Sequence, residues 1–458
     1  MTDKQQNAGR SGRDAFTSSL GMLAATLGSA VGLGNIWKFP SMTGSNGGAS
    51  FLFVYLACTV VVGLPIMISE IMLGRKVKAN AITTLRKLSP KGQPWGIVGV
   101  SGVVAAFLIL CFYTEVAGWV FAYIFKGLSG SVLTTDPKVA SAAFASLISD
   151  PMQAIGWQWF VIVFVSIIIT FGISKGIEKV TMRLMPILFL LLLVICARSL
   201  TLPGAEKGLE FLFTPDFSKI TGSVILMAMG LAFFKLSIGM GTMMTYGSYF
   251  RDSQNIPLTA GRVVLADLVI SLLAGIAIFP AVFAYGFDVS AGPSLLFITI
   301  PAVFASMPMG QFFAVLFFVL AAVASTGAML SLFEVPVAYL CEARQMSRKA
   351  ATMTTALLVM LLGAPAALSS SMTKDVKIFG LTFFDLFDFL SSNLCMPAGG
   401  LLICIFTGWV FGKDKFKAEL TNHGLIKNEA IIDSLFFLIK YVSPLLVAVV
   451  MLNMLKVF

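Results

Sequence analysis

Apolar runs long enough to cross a bilayer are what most constrain this chain. Phe51–Met72, Gln311–Phe333 and Leu435–Met454 each approach or exceed the ~20 residues a spanning helix needs, and Phe160–Gly172 and Leu184–Cys196 add shorter ones. In hydrocarbon every backbone polar group must be satisfied internally, so such runs fold as helices. With 57% of its 458 residues hydrophobic and 12% charged, the chain has too little polar surface for a soluble domain of this length. Eleven spans are expected, near 20–41, 50–74, 96–126, 157–173, 180–201, 220–249, 260–286, 310–343, 352–368, 380–411 and 434–455. The fold class is an all-α polytopic membrane protein with one transmembrane domain over 1–458. No cleavable signal peptide is read at the N-terminus, where Met1 to Ser19 is polar and leads into the first span.

The net charge of +10 raises the question of nucleic acid, and its placement answers it. Lys and Arg crowd into alternate loops, as at Lys4, Arg10 and Arg13, at Arg75 to Lys91, at Lys175 and Lys179, at Arg344 to Lys349 and at Lys413 to Lys427. The intervening loops carry fewer, chiefly Lys138, Lys207, Lys374 and Lys377. This positive-inside pattern predicts a multi-pass protein of the cell (inner) membrane, with residues 1–19 as a cytoplasmic tail. Eleven spans then put the C-terminus outside. The partners expected are lipid and a small solute, with no nucleic acid, and the protein as monomer or homodimer. The six cysteines form no CxxC, and His423 is the sole histidine. Neither a disulfide framework nor a histidine metal site is expected, and a triad or other nucleophile–base pair is excluded, so the chain is not read as an enzyme.

Two spans are interrupted. The first holds Gly28-Ser29-Ala30-Val31-Gly32-Leu33-Gly34-Asn35, and the sixth holds Phe234-Lys235-Leu236-Ser237-Ile238-Gly239-Met240-Gly241. Glycine and polar residues at mid-membrane free backbone groups that must find partners, and a solute can supply them. Matched interruptions in two halves of a chain point to a transporter binding site. Tight helix packing through small residues explains one such segment but fits a matched pair poorly.

At these residues the chain resembles the neurotransmitter:sodium symporters, in particular their bacterial amino-acid members of the leucine-transporter type. The signature runs from Gly28 through Asn35-Ile-Trp-Lys-Phe-Pro40 to Asn46-Gly-Gly48. It continues with Gly63-Leu-Pro65, Glu70, Gly74-Arg75, Ser174 to Lys179, Tyr246-Gly-Ser-Tyr249, Ile278-Phe-Pro280 and Ala291-Gly-Pro293. The resemblance implies a five-plus-five inverted repeat (20–201 and 220–411) with spans 1 and 6 broken, an extra helix at 434–455, and a bundle of spans 1, 2, 6 and 7 rocking against spans 3, 4, 8 and 9. It implies a solute carboxylate at the Leu33 and Gly34 amides and the Tyr113 hydroxyl, and an amine at carbonyls near Ser29, Ala30 and Phe234. The solute side chain would face Ile109, Phe234, Ser237, Met240, Ala328 and Leu332. That apolar lining favours a hydrophobic or aromatic amino acid. Lys38 with Asp388 would form an outer gate, Lys standing where the family has Arg, and Arg13 with Glu342 an inner one. Glu70 would support the broken backbone of spans 1 and 6.

The departures concern ions. The family's first sodium site would use Ala30, Asn35 and side chains from spans 6 and 7, where this chain has Lys235 and Asp267. An unpaired charge at mid-membrane costs about 2.5–3.5 kcal/mol or more, and an opposite pair relieves both members. The expectation is that the Lys235 ammonium replaces the first sodium, pairs with Asp267 and reaches the solute carboxylate. A snorkelling Lys235 fits its mid-span position less well. The second site would use carbonyls at Gly28, Val31 and Ala324 with two span-8 hydroxyls, whose positions fall on Gly327 and Ala328. Ser325 and Thr326 are two residues out of register, about 200° around a helix, so only a bulge would bring them back. Three couplings stay open: one sodium at a rebuilt second site, a proton carried by Lys235 or Glu115, or transport without an ion. No cofactor is expected. Ser271 matches the serine used for chloride in animal members, but with Asp267 present no chloride requirement is expected. The alternative to transport is a membrane sensor using the same pocket, which the short termini disfavour.

Overall fold

The computed structural model describes residues 14–287, 289 and 295–454. Among them there is no strand, and nine helices are long and apolar enough to cross a membrane. These are span 2 (Ala49–Val77), span 3 (Gly96–Leu128), span 4 (Pro151–Thr170), span 5 (Ile173–Leu200), span 7 (Ile256–Ala284), span 8 (Gly310–Ala343), span 9 (Arg348–Ala367), span 10 (Phe383–Phe411) and span 11 (Glu429–Leu452). Span 1 is a bent pair, Ser19–Ala30 and Gly34–Ser45, with 47° between its halves. Span 6 is Gly222–Lys235 followed by Thr242–Gly247. At ~1.5 Å per residue neither half of span 6 crosses a bilayer alone; counted together they complete the expected eleven.

Boundaries moved where local capping was underread. Span 4 begins at Pro151 because Asp150 caps it, accepting from the Met152 and Gln153 amides. Pro137–Ser149 and Ala205–Phe213, expected as loop, are helices, the first capped by Asp136.

The breaks have identifiable causes. Span 1 ends its first helix at Val31, where the backbone turns extended, and restarts at Gly34. In span 6, Ser237, Gly239 and Gly241 all have positive φ. At Gly239 a side chain is excluded twice over, by φ +78° and by the Met396 carbonyl pressed against the place of a Cβ. The freed Gly239 amide donates to Glu70 Oε1 at 2.7 Å, so Glu70 does support the unwound segment. The two breaks touch: Ser237 Oγ donates to the Ser29 carbonyl at 2.8 Å. Spans 3 and 8 pack along their lengths and present Tyr113 and Ala328 to the broken segment of span 1.

Candidate functional site

A small cavity of about 20 Å³ lies between the breaks and spans 3 and 8. Its walls are Ser29, Ala30, Gly32, Gly34, Ile109, Tyr113, Phe234, Lys235, Ser237, Met240, Ala328 and Leu332. Every residue expected to bind solute is in that wall except Leu33. The Leu33 side chain is buried, and its amide donates to the Tyr113 hydroxyl at 2.9 Å. Gly32 takes its place in the lining, a glycine that in the sequence marks only the break itself. A Cβ at Gly32 would lie 2.8 Å from the Tyr113 hydroxyl and 2.9 Å from the Ala328 methyl, so glycine lets span 1 lie against spans 3 and 8.

Phe234 is in the cavity wall, with the Lys38 ammonium 4.1 Å from its ring centre and 3.8 Å from Asp388 Oδ1. Ahead of span 1, Phe16 is buried edge-on against Tyr246, Tyr249 and Phe250. Of the second expected gate, Arg13 lies outside the described residues, while Glu342 accepts from the Asn80 backbone amide at 2.7 Å and side-chain amide at 2.9 Å. Glu334, fully buried, pairs with Arg348 and accepts from the Tyr249 hydroxyl at 2.6 Å. The basic residue opening span 9 was the available sequence signal for this pair.

At the first ion position four spans meet in one network. The Lys235 ammonium donates to Tyr55 Oη at 2.7 Å, to Asp267 Oδ2 at 3.1 Å and to the Ser271 hydroxyl. Asp267 also accepts from Asn35 Nδ2 at 2.7 Å and from Tyr55 Oη at 3.2 Å. Both charged side chains have no exposure. Lys235 lines the cavity, and its Cγ lies 3.2 Å from where a Gly34 Cβ would be. Tyr55, Asp267 and Ser271 take the three donors of the ammonium. Tyr55 was missed, since a tyrosine in an apolar run reads as core.

At the second ion position span 8 is a continuous helix. Gly327 faces span 1 so closely that a Cβ there would lie 2.7 Å from the Gly28 carbonyl oxygen, and Ala328 meets Gly32. Ser325 and Thr326 both donate to the Ala322 carbonyl of their own helix, at 2.9 and 2.7 Å. Ala324 and Val31 are buried beside this crossing. Glu115, also buried, has one carboxyl oxygen without a hydrogen-bond partner.

Two helices broken at matched points around a cavity between spans 1, 3, 6 and 8 are the architecture of a secondary transporter. The sodium:neurotransmitter symporter family model matches residues 13–137 and 145–458, and the chain belongs to that family. It is 40% identical over 442 residues to the uncharacterized sodium-dependent transporter YhdH of Bacillus subtilis, covering 96% of this chain and 98% of the relative. An uncharacterized sodium-dependent transporter of Haemophilus influenzae is 34% identical over 451 residues, covering 96% and 98%. Among solved structures, MhsT in complex with L-phenylalanine superposes with a TM-score of 0.90 at 39% identity, covering 97% of this chain and all of that one. The chain is therefore a multi-pass membrane symporter, not an enzyme.

Proposed function

We propose that this protein carries a hydrophobic or aromatic amino acid across the cell membrane by alternating access, with the Lys235 ammonium standing permanently in the place of the first sodium ion. The observation that carries the reading is the buried Lys235–Asp267 pair with Tyr55, Ser271 and Asn35 around it. A sodium ion beside that ammonium would be repelled in a low-dielectric site. The only remaining family position is the second one, which keeps the backbone carbonyls of Gly28, Val31 and Ala324 but lacks the span-8 hydroxyls. The cycle thus uses at most one sodium per solute. The solute class is supported by the apolar walls Ile109, Phe234, Met240, Ala328 and Leu332, and by L-phenylalanine in the related MhsT. The solute carboxylate would take the Tyr113 hydroxyl and the helix start at Gly34, where backbone amides and the helix dipole favour an anion. The cavity must widen to admit an amino acid, by the bundle of spans 1, 2, 6 and 7 moving against spans 3, 4, 8 and 9. The N-terminus is cytoplasmic, so Lys38 and Asp388 guard the outer side and Phe16 the inner.

The test is uptake of labelled L-phenylalanine into proteoliposomes, with sodium titrated against choline, with and without a proton gradient. A sodium response with a Hill coefficient of one or less is expected. A coefficient near two would overturn the reading.

A further inference from the structure

We propose that the ends of spans 3, 10 and 11 form a binding site for an anionic phospholipid, with Lys440 holding the phosphate and a neighbouring cleft taking an acyl chain. Nothing in transport uses these residues, and the proposal stands or falls independently of the solute and ion reading. Only the leaflet, the cytoplasmic one, rests on the orientation given above.

Lys440 lies within the apolar span 11 and, among the described residues, pairs with no carboxylate, unlike Lys413 with Asp433 at 3.0 Å and Lys417 with Glu429 at 2.6 Å. It is held against span 10, its Cα 2.9 Å from where a Gly408 Cβ would be. Its ammonium lies 4.7 Å from the Trp409 ring centre and 5.4 Å from that of Tyr441. Both rings face outward, 61% and 50% exposed. Exposed Trp and Tyr beside a lysine mark the headgroup level of a bilayer. The depth agrees. Trp409 is near the end of span 10, and Lys440 lies seven residues past the water-exposed Asp433, about 10 Å along the helix. A lysine stem bridges much of that distance.

An apolar cleft of about 470 Å³ adjoins span 10 at Val410, the residue after Trp409, and is lined also by Gln93, Pro94, Trp95, Ile97, Val98 and Leu402. Val410 follows Trp409, so the two side chains leave span 10 at successive positions around its axis. The exposed Arg86 packs over Gly96 beside the same cleft and adds a second cation. A cation, an aromatic shelf and an apolar groove at one level match a phosphate joined to an acyl chain. Free phosphate would find the charge but leave the groove empty. A zwitterionic lipid would fill the groove but bring its own cation toward Lys440. Clustered basic residues at the cytoplasmic face draw anionic headgroups by the same physics.

The experiment is native mass spectrometry of the full chain in detergent micelles, titrated separately with dioleoyl phosphatidylglycerol, dioleoyl phosphatidylcholine and inorganic phosphate. One phosphatidylglycerol should be retained in preference to phosphatidylcholine, and phosphate should not be. Lys440→Gln should cut that preference about fivefold, Lys440→Arg should keep it, and Val410→Trp, which fills the cleft, should weaken both lipids. The Arg and Trp variants read the same site without deleting the charge, so the outcome does not depend on Lys440→Gln folding. Equal retention of the two lipids by the unaltered protein, or an undiminished preference in Lys440→Gln, would overturn the proposal.

Discussion

Replacing Lys235 by threonine removes the cation from the network and leaves the Asp267 carboxylate buried without one. Breaking a buried pair costs about 3–5 kcal/mol. Asn35 and Tyr55 still donate to Asp267 in the variant, which places the loss near the lower end, about 3 kcal/mol. The cost falls on the solute site, because Asn35 and Lys235 sit at the two breaks that shape the cavity. At about 1.4 kcal/mol per decade, solute binding in choline should weaken roughly a hundredfold, through depletion of the competent conformation. Sodium should then restore most of it. The vacated space is ringed by oxygens of Asp267, Tyr55 and Ser271 with the new threonine hydroxyl, a fair donor set for that ion. Equilibrium binding of labelled L-phenylalanine to purified protein, in choline and in sodium, reads both effects. Binding by Lys235→Thr in choline within threefold of the unaltered protein would refute the reasoning, because the ammonium would then be doing nothing that an ion must replace.

Other perturbations follow from the same geometry. Gly327→Ser returns a hydroxyl to the second ion position, yet its Cβ would lie 2.7 Å from the Gly28 carbonyl oxygen. Overpacking of about 1–3 kcal/mol should lower the thermal midpoint without adding sodium sensitivity, and a stable variant with a stronger sodium response would contradict this. Tyr113→Phe removes the acceptor of the Leu33 amide and the proposed partner of the solute carboxylate, so competition binding should show a loss of about tenfold to a hundredfold. Lys38→Met removes a half-exposed cation from Phe234 and Asp388. An exposed pair contributes up to about 1 kcal/mol, so labelled solute should dissociate up to fivefold faster, and an unchanged rate would remove Lys38 from the gate.

What the sequence disclosed and what it withheld divide along physical lines. Both breaks were legible because glycine and polar residues in an apolar run contradict their surroundings. Lys235 and Asp267 stood out for the same reason, as charges where charge is expensive. Tyr55 did not, since its ring suits hydrocarbon and only packing decides that its hydroxyl meets an ammonium. The pairing of Lys235 with Asp267 was readable too, because each charge at that depth needs the other. The substitution of Gly32 for Leu33 in the cavity wall is a rotation of one residue about an unwound segment, which no periodicity describes. Span 8 is an unbroken helix, and no bulge turns Ser325 and Thr326 away from the Ala322 carbonyl of their own helix.

The tethered ammonium also bears on energy conversion. A sodium ion that enters with the solute is released on the far side, and the carrier returns without it. Lys235 cannot be released: it crosses with the loaded bundle and comes back with the empty one, so over a full turn it moves no net charge. A charge carried down the membrane potential releases about 2.3 kcal/mol per 100 mV, enough to raise the attainable concentration ratio of the solute roughly fiftyfold. A carrier that works as proposed, with the cation built into the chain, forgoes that factor. In return the position would be filled at every sodium concentration, and the grip on solute there would not fall when external sodium is scarce.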